Sequence, residues 1–233
     1  MSDNLVNAFI LIKRFLCYQQ SMTDIRPKTA TRGRPRRTES DTAEMRARIM
    51  RAARDLFARD GYEGMSMRKL AAAVGCAPAA LYAYFPNKRA LLRVLWQDIF
   101  GELGGVLSNT IATPADPLTH LHRLLTETIH FWVQRPDDFR AIFLIQDEPL
   151  EPDGTYMADD AGARTSLGLI REVAGKAVSL GLLSIADPDR ATSVCVAAIN
   201  GAALNLITIP EYDWGDDETV ISDMATTIIN GLK

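Results

Sequence analysis

The strongest constraint on the fold is a series of helix-length segments in which apolar residues recur every three to four positions. Caps and prolines open several of them, as in Asp116-Pro117 and Asp187-Pro188. No segment alternates apolar and polar residues over the length of a strand. The sequence therefore predicts an all-α protein of about nine helices.

The first predicted helix begins near Asp41, which has the spacing of a capping box with Glu44. Its apolar positions form one face: Met45, Ile49, Ala52, Ala53, Leu56 and Phe57. Asp60-Gly61 is expected to end it, because glycine is the usual residue just past a helix terminus.

Two short helices and a long one follow. Ser66 is placed to cap a short helix that Gly75 ends, and Pro78 opens another that reaches about Tyr84. The long helix starts at Pro86-Asn87 and is expected to end or bend at the glycine pair. That pair is Gly104-Gly105. Five more helices are predicted at 117–134, 137–146, 159–180, 188–208 and 217–231.

The charges are divided unevenly along the chain. Residues 1–93 contain 18 Lys and Arg against 8 Asp and Glu, whereas residues 94–233 contain 8 against 21. A basic part suits a polyanion and an acidic part would repel it. The pattern indicates a DNA-binding N-terminal part, called the head below, and a C-terminal part that faces away from DNA.

The turn at Gly75-Cys76-Ala77 joins two short helices with the dimensions of a helix-turn-helix. About a dozen positions in residues 45–92 agree with one known pattern across four helices: Gly61-Tyr62, Ser66, Leu70-Ala71, Gly75, Leu81-Tyr82, Tyr84-Phe85, Asn87-Lys88 and Leu91-Leu92. This pattern resembles that of the TetR family of transcriptional regulators. The resemblance implies an N-terminal three-helix helix-turn-helix domain and a C-terminal helical domain for ligand binding and dimerisation.

The domain boundaries predicted from these features are a 1–41 extension with a basic arm, a 42–102 helix-turn-helix domain and a 103–233 effector-binding and dimerisation domain. The sequence does not decide whether residues 1–21 belong to the natural protein or whether translation starts at Met22.

The resemblance also implies residues that contact DNA. Ser66 and Lys88 would bind phosphates at helix starts, and residues 77–82 would form the recognition surface. Tyr82 and Tyr84 would reach the backbone or base edges. The full predicted set is Arg32, Arg34, Arg36, Arg37, Ser66, Met67, Arg68, Ala77, Pro78, Ala79, Ala80, Tyr82, Tyr84 and Lys88.

One departure from the family pattern affects base recognition. Ala77 stands where the family usually has a capping Ser or Thr, and Pro78 follows it. Because the recognition helix then offers few donors, we expect apolar contacts with thymine methyl groups, helped by Arg68 and the arm.

The basic arm contains the run Arg32-Gly33-Arg34-Pro35-Arg36-Arg37. Its core resembles an AT-hook, in which arginines follow a narrow minor groove. A solvated basic tail is the simpler interpretation of such a run in isolation. Its position directly before a helix-turn-helix favours contact with DNA.

By the same analogy the acidic part holds a homodimer interface and a cavity for an unknown small-molecule effector. The last two helices carry small and branched residues suited to close packing: Ala197, Ala198, Gly201, Ala202, Ala203, Leu206, Ile221, Ile228 and Ile229. The predicted pocket residues are Trp96, Phe100, His130 and Phe143.

Several other classes of function are disfavoured. The sequence has none of the common nucleophile, zinc-protease or phosphate-loop motifs, so we expect no enzyme and no cofactor. His120 and His122 point to different helix faces, which disfavours a metal site. Uninterrupted apolar runs are short of the roughly 20 residues that span a bilayer. Scattered cysteines indicate a reducing compartment, and we expect a cytoplasmic protein.

The sequence thus predicts a ligand-responsive repressor that binds a palindromic operator as a dimer. Two alternatives stay open. One is an architectural protein that binds A/T-rich DNA without an effector. The more distant one is a metabolite-binding protein that has lost DNA binding.

Overall fold

A computed structural model describes residues 39–144 and 161–233, and all regular structure in those ranges is helical. This confirms the predicted all-α fold class. The helices in these ranges are α1 (Glu39–Gly64), α2 (Met67–Val74), α3 (Pro78–Tyr82), α4 (Lys88–Ala112), α5 (Pro117–Val133), α6 (Pro136–Phe143), α7 (Ala161–Ser179), α8 (Pro188–Thr208) and α9 (Asp217–Leu232). Residues Ala43–Lys233 form one compact unit.

Helix α1 differs from its prediction at the start and agrees with it near the end. It begins at Glu39, two residues before the predicted cap at Asp41. Gly61 has φ of +68°, a value that glycine adopts without the steric penalty of a side chain, and it kinks the chain after Asp60. The apolar face buries Ile49, Ala53, Leu56 and Phe57, as the periodicity predicts.

Helix α4 continues past the glycine pair, so the predicted end there is wrong. Gly104 is buried, and a Cβ atom added to it would lie 3.6 Å from the Ser166 hydroxyl of α7. The Ser166 hydroxyl in turn donates to the Phe100 carbonyl across 3.5 Å. A Cβ at that distance would make ordinary van der Waals contact, so Gly104 is a buried position inside a continuous helix and does not terminate it.

The other helix ends follow the predicted caps with small shifts. Asp116 and Asp187 cap α5 and α8 through their carboxylates, each with proline in the first turn. Helix α3 ends at Tyr82, two residues earlier than predicted, and the amides of Tyr84 and Phe85 beyond its end both donate to the Leu81 carbonyl. The predicted continuations of 137–146 and 159–180 into residues 145–160 lie outside the described residues.

Helix α5 forms the centre of the C-terminal part. It packs against α4, α6, α7, α8 and α9. Its inward positions are almost fully buried: Leu121, Leu124, Leu125, Ile129 and Trp132. Burial of each such side chain contributes about 1.5–3 kcal/mol, so this helix anchors the core.

Helix α8 has an unusual composition for a surface-lying helix. By length and composition alone it could cross a membrane, although 33% of its most apolar stretch is buried inside the protein. The sequence-based expectation rested on uninterrupted apolar runs and overlooked this helix, because Thr, Ser, Asn and Gly interrupt the apolar residues without adding charge.

Candidate nucleic-acid interface and apolar cavity

The turn between α2 and α3 is fixed by backbone geometry. Gly75 has φ of +72° and ψ of +37°, the left-handed conformation that glycine favours. Its amide donates to Ala72 O across 3.1 Å, and the Cys76 amide donates to Ala71 O across 2.9 Å. These paired bonds form a Schellman motif, which ends α2 and sets the direction of α3.

Both ends of α2 are bonded to side chains. At its start the Ser66 hydroxyl accepts from the Lys69 amide across 3.2 Å. At its end the Arg48 guanidinium of α1 donates to the Val74 carbonyl across 2.9 Å. A cation at a helix C-terminus is favourable, so Arg48 stabilises both α2 and its attachment to α1.

Helix α3 presents a surface of small residues. Ala77, Pro78 and Ala79 are exposed, and Tyr82 is 50% exposed. Ala77 makes no side-chain cap bond, which matches the scarcity of donors predicted for this helix. Leu81 faces inward and anchors α3 in the core, while Ala80 and Tyr84 are half-buried.

Two residues of the predicted DNA-contacting set are engaged inside the protein. Met67 is 8% exposed, because the helical period of α2 turns it inward with Leu70. The Lys88 ammonium donates to Tyr62 O across 2.7 Å and Met65 O across 3.4 Å. It also lies 3.8 Å from the centroid of the Tyr62 ring. Lys88 thus joins the start of α4 to the segment before α2, with one of its three N–H donors left.

The positive charges beside this surface are of two kinds. Arg68 is exposed, and Lys69 forms an ion pair with Asp60 across 3.0 Å. Hydrogen bonds from Arg59 and Lys69 lower the pKa of Asp60 to about 2. Arg68 is therefore the better placed of the two α2 cations to reach a phosphate or a base. The predicted contacts Arg32, Arg34, Arg36 and Arg37 lie outside the described residues.

An apolar cavity of about 240 Å³ lies among five helices. Helices α4 to α8 all contribute to its wall, in which apolar side chains predominate. The lining residues are Phe100, Leu103, Leu107, Thr128, Trp132, Phe143, Ala163, Ser166, Leu167, Ile170, Val196, Ile199 and Asn200.

Of the four predicted pocket residues, the structure places Phe100 and Phe143 in this wall. Trp96 is buried elsewhere in the core, and its indole nitrogen has no hydrogen-bond partner within the described part of the chain. His130 lies with its Nε2 3.3 Å from a carboxylate oxygen of Glu218. Neither of these two lines the cavity.

Most residues of the cavity wall were not predicted from the sequence. Leu103 and Leu107 have the periodicity of ordinary core residues, and Ser166 and Asn200 carry no local signal of a pocket. Packing of α7 against α4 and of α8 against α7 brings them together. The best indication of a pocket in the sequence was the aromatic pair Phe131-Trp132. In the structure, Trp132 makes edge contacts with Phe100 and Phe143.

A second concave region lies between α1 and α4. This cleft of about 340 Å³ is lined by Met50, Arg51, Arg54, Leu95, Asp98 and Glu102. Its wall mixes both signs of charge, whereas small-molecule sites are usually mostly apolar. The smaller cavity among α4 to α8 therefore fits a ligand site better.

Metal and redox chemistry find little support in the described residues. No group of three or more His, Cys, Asp or Glu side chains in the described ranges could hold a metal ion. Cys76 and Cys195 are free thiols, and burial raises the pKa of Cys195 to about 11. A thiol with so high a pKa is a poor nucleophile at neutral pH.

Comparison with known proteins agrees with this architecture. Residues 49–95 match the family model described as bacterial regulatory proteins, tetR family. The chain is 28% identical over 95 residues to the HTH-type transcriptional regulator AcrR of Shigella flexneri, a match that covers 40% of this chain and 44% of AcrR. The match thus spans less than half the length of that curated relative.

Solved structures extend the likeness to the whole fold. A tetR-family regulatory protein from Rhodococcus RHA1 superposes with a TM-score of 0.68 at 17% identity, covering 81% of this chain and 97% of the other. FadR from Bacillus subtilis, solved in complex with stearoyl-CoA, has a TM-score of 0.67 at 15% identity, covering 80% and 99%. At these identities the likeness concerns the fold. Residues 49–95 thus match the tetR family in sequence, and the described chain shares the fold of solved tetR-family proteins.

Proposed function

We propose that the protein is a cytoplasmic, ligand-responsive repressor that binds a palindromic operator in double-stranded DNA as a homodimer. The observation that carries this proposal is the course of α4. Its first turn belongs to the helix-turn-helix unit through Lys88, and its later turns line the cavity through Phe100, Leu103 and Leu107. One rigid element thus belongs to both candidate sites. The proposal involves no catalytic step and no cofactor.

The DNA-binding surface in this proposal consists of α3 and the start of α2. The exposed residues Ala77, Pro78, Ala79 and Tyr82 enter the major groove, and Arg68 reaches a phosphate or base edge. Ser66, Ala80 and Tyr84 border this surface, and the arginines of the arm add minor-groove contacts. Met67 is left out because it is buried, and Lys88 serves chiefly to hold α4 in place.

The homodimer in this proposal forms through α8 together with α9. Helix α8 has no charged residue between Arg190 and its end, and it exposes apolar side chains such as Val194 and Leu204. Ala197 and Gly201 lie on the same side and permit close approach of a second backbone. A two-fold arrangement would cover this face with its own copy.

Effector binding would act through α4. A ligand that wedges between α4, α5 and α7 binds best when α4 is displaced, and it therefore shifts the population toward that state. Displacement of α4 changes the separation of the two heads, which must be roughly 34–36 Å to match one turn of DNA. FadR of Bacillus subtilis, solved with stearoyl-CoA, supports the idea that this fold accommodates a small molecule with a long apolar part.

Selection of bound sequences from random DNA, with full-length protein at a stated salt concentration, tests the proposal. We expect one inverted repeat whose half-sites lie about one helical turn apart. The variant Tyr82→Ala should lose the selected sequence, whereas Tyr212→Ala, an exposed tyrosine far along the chain, should retain it.

The architectural alternative is supported by the Arg-Gly-Arg-Pro run at Arg32. If this alternative is correct, the selection recovers A/T-rich tracts without symmetry, and removal of the arm abolishes binding. Such a result would overturn the regulator proposal in favour of the architectural one. A failure to bind any duplex would also overturn it, and would favour a protein that has lost DNA binding.

A further inference from the structure

The wall of the cavity among α4 to α8 carries no charged side chain among its thirteen lining residues, ten of which are apolar. Three aromatic rings, those of Phe100, Trp132 and Phe143, form one side. The ring centroids of Trp132 and Phe143 lie 5.3 Å apart in an edge-to-face arrangement. Within the described residues, such a wall offers dispersion and aromatic contacts and no charged group that would neutralise an ion.

The polar groups of the wall differ in the hydrogen bonds that they can still form with a ligand. The Thr128 hydroxyl donates to Leu124 O across 2.6 Å, and the Ser166 hydroxyl donates to Phe100 O across 3.5 Å. With their single protons in use, both hydroxyls can only accept from a ligand. The Asn200 carboxamide has no hydrogen bond within the described part of the chain, so its donors and its acceptor are both available.

Charge and volume then restrict the ligand. A buried ion that finds no partner among the described wall residues loses its hydration without compensation, which disfavours carboxylates and ammonium groups there. The volume of about 240 Å³ corresponds to roughly eight water-sized groups of about 30 Å³ each. The ligand that fits is small, mostly apolar and neutral.

We propose that the cavity binds an uncharged, mostly apolar molecule of about eight non-hydrogen atoms. Its single polar group, a hydroxyl or carbonyl, pairs with the Asn200 carboxamide. This inference rests on the proposed effector function and specifies its ligand. Asn200 is the residue that determines specificity, because it is the polar group of the wall that has both donors and an acceptor to spare.

The first experiment is a calorimetric titration of the full-length protein at pH 7 with three probes of equal chain length: 1-octanol, octanoate and octylammonium. We expect 1-octanol to bind at least about tenfold more tightly than either ion, since the ions bury an uncompensated charge. Equal or tighter binding of octanoate or octylammonium overturns the inference. So does the absence of binding by all three probes.

The variant Asn200→Asp provides a sharper test, because it replaces an amide by a carboxylate of the same shape. We expect it to reverse the preference, so that octylammonium binds more tightly than 1-octanol. Asn109→Asp, at an exposed position of α4 outside the wall, adds the same charge and should keep the preference for 1-octanol. Thermal unfolding of both variants verifies that they are folded. An unchanged preference in folded Asn200→Asp overturns the role of Asn200.

Failure of this inference is distinguishable from failure of the proposed function. Operator binding is measured separately, by fluorescence anisotropy with the selected DNA. A protein that binds its operator but prefers an ionic probe contradicts the ligand class alone. A protein that binds 1-octanol as expected but recovers no operator supports the ligand class and contradicts the regulator proposal.

Discussion

The Arg54 guanidinium of α1 lies 3.0 Å from the Asp138 carboxylate of α6, so that an ion pair joins the helix-turn-helix part of the chain to the C-terminal part. Asp138 is 5% exposed, whereas the Arg54 side chain reaches the surface. The two atoms are close but are not aligned as a hydrogen bond. Helix α6 also supplies Phe143 to the cavity wall, so this pair offers a second connection between the cavity and the DNA-binding part, beside α4.

The electrostatic balance at Asp138 leads to the first prediction. Burial raises the pKa of this carboxyl above its ordinary value, and the attraction of Arg54 offsets that only in part. A group whose pKa is raised on folding binds more protons in the folded state. Its stabilising contribution is therefore complete below about pH 4 and is lost as the pH rises through the folded-state pKa.

We expect the free energy of unfolding of wild type, minus that of Asp138→Asn, to fall between pH 4 and neutrality. Urea unfolding at a series of pH values measures this difference. Asp137→Asn, at the exposed neighbouring position, controls for the loss of a carboxylate from α6. A difference that grows with pH would show that Arg54 outweighs burial, the opposite of what we infer.

The left-handed turn at Gly75 gives the second prediction. Gly75→Ala places a Cβ in a conformation that costs about 1–2 kcal/mol, so the free energy of unfolding should fall by that amount. Gly105→Ala is the matched control, because Gly105 is in the interior of α4 with open space around its Cβ position. That variant should be more stable than wild type by about 0.5–1 kcal/mol. Equal stabilities of the two variants in urea unfolding would contradict the role of the turn.

The sequence predicted the helical elements well, because caps, prolines and apolar periodicity are local signals. Ser66, Gly75 and Asp116 have the roles that their positions suggest. The wrong end of α4 shows that packing between distant segments can override a local signal. Gly104 is buried against α7 inside a continuous helix, although a glycine pair is locally a helix-ending signal.

The candidate sites were predictable to different degrees. The residues near the turn are close in sequence and fit a known spacing, so the turn and its caps were predicted, and the contacts of these residues with DNA stay predictions. Lys88 was predicted to bind a phosphate from the family resemblance and its helix-start position. Its bonds to Tyr62 and Met65, more than twenty residues away, had no sequence signal. The cavity wall draws on five helices, and no local pattern identifies Asn200 as part of it.

The alanine-rich surface of α3 leads to the third prediction. If Ala77 and Ala79 recognise thymine methyl groups, replacing a contacted thymine by deoxyuridine removes the methyl and keeps every hydrogen-bonding group. Loss of one buried methyl corresponds to about 0.8 kcal/mol, or about fourfold in operator affinity. Anisotropy titrations with singly substituted operators measure the effect, and substitutions in flanking DNA serve as controls. If no thymine in the operator responds, the apolar recognition we propose is wrong.

The exposed apolar face of α8 leads to the last prediction, which concerns the homodimer. Leu204 is 39% exposed on a helix whose neighbouring positions are small or apolar. An arginine there would have to lose its hydration opposite its own copy across a two-fold axis, and like charges repel. Leu204→Arg should therefore dissociate the dimer without unfolding the protomer, since the same side chain is solvated in the monomer.

Sedimentation velocity should find wild type as a dimer and Leu204→Arg as a monomer. Operator affinity should fall by at least about a hundredfold, because two linked heads gain an effective concentration that separate heads lack. Leu180→Arg is the matched control: Leu180 is 64% exposed in the turn after α7, and this variant should remain dimeric with full affinity. A dimeric Leu204→Arg protein would place the interface on another face. If wild type is a monomer in solution and still binds its inverted repeat tightly, the proposed solution dimer is wrong. Two protomers would then assemble on the DNA.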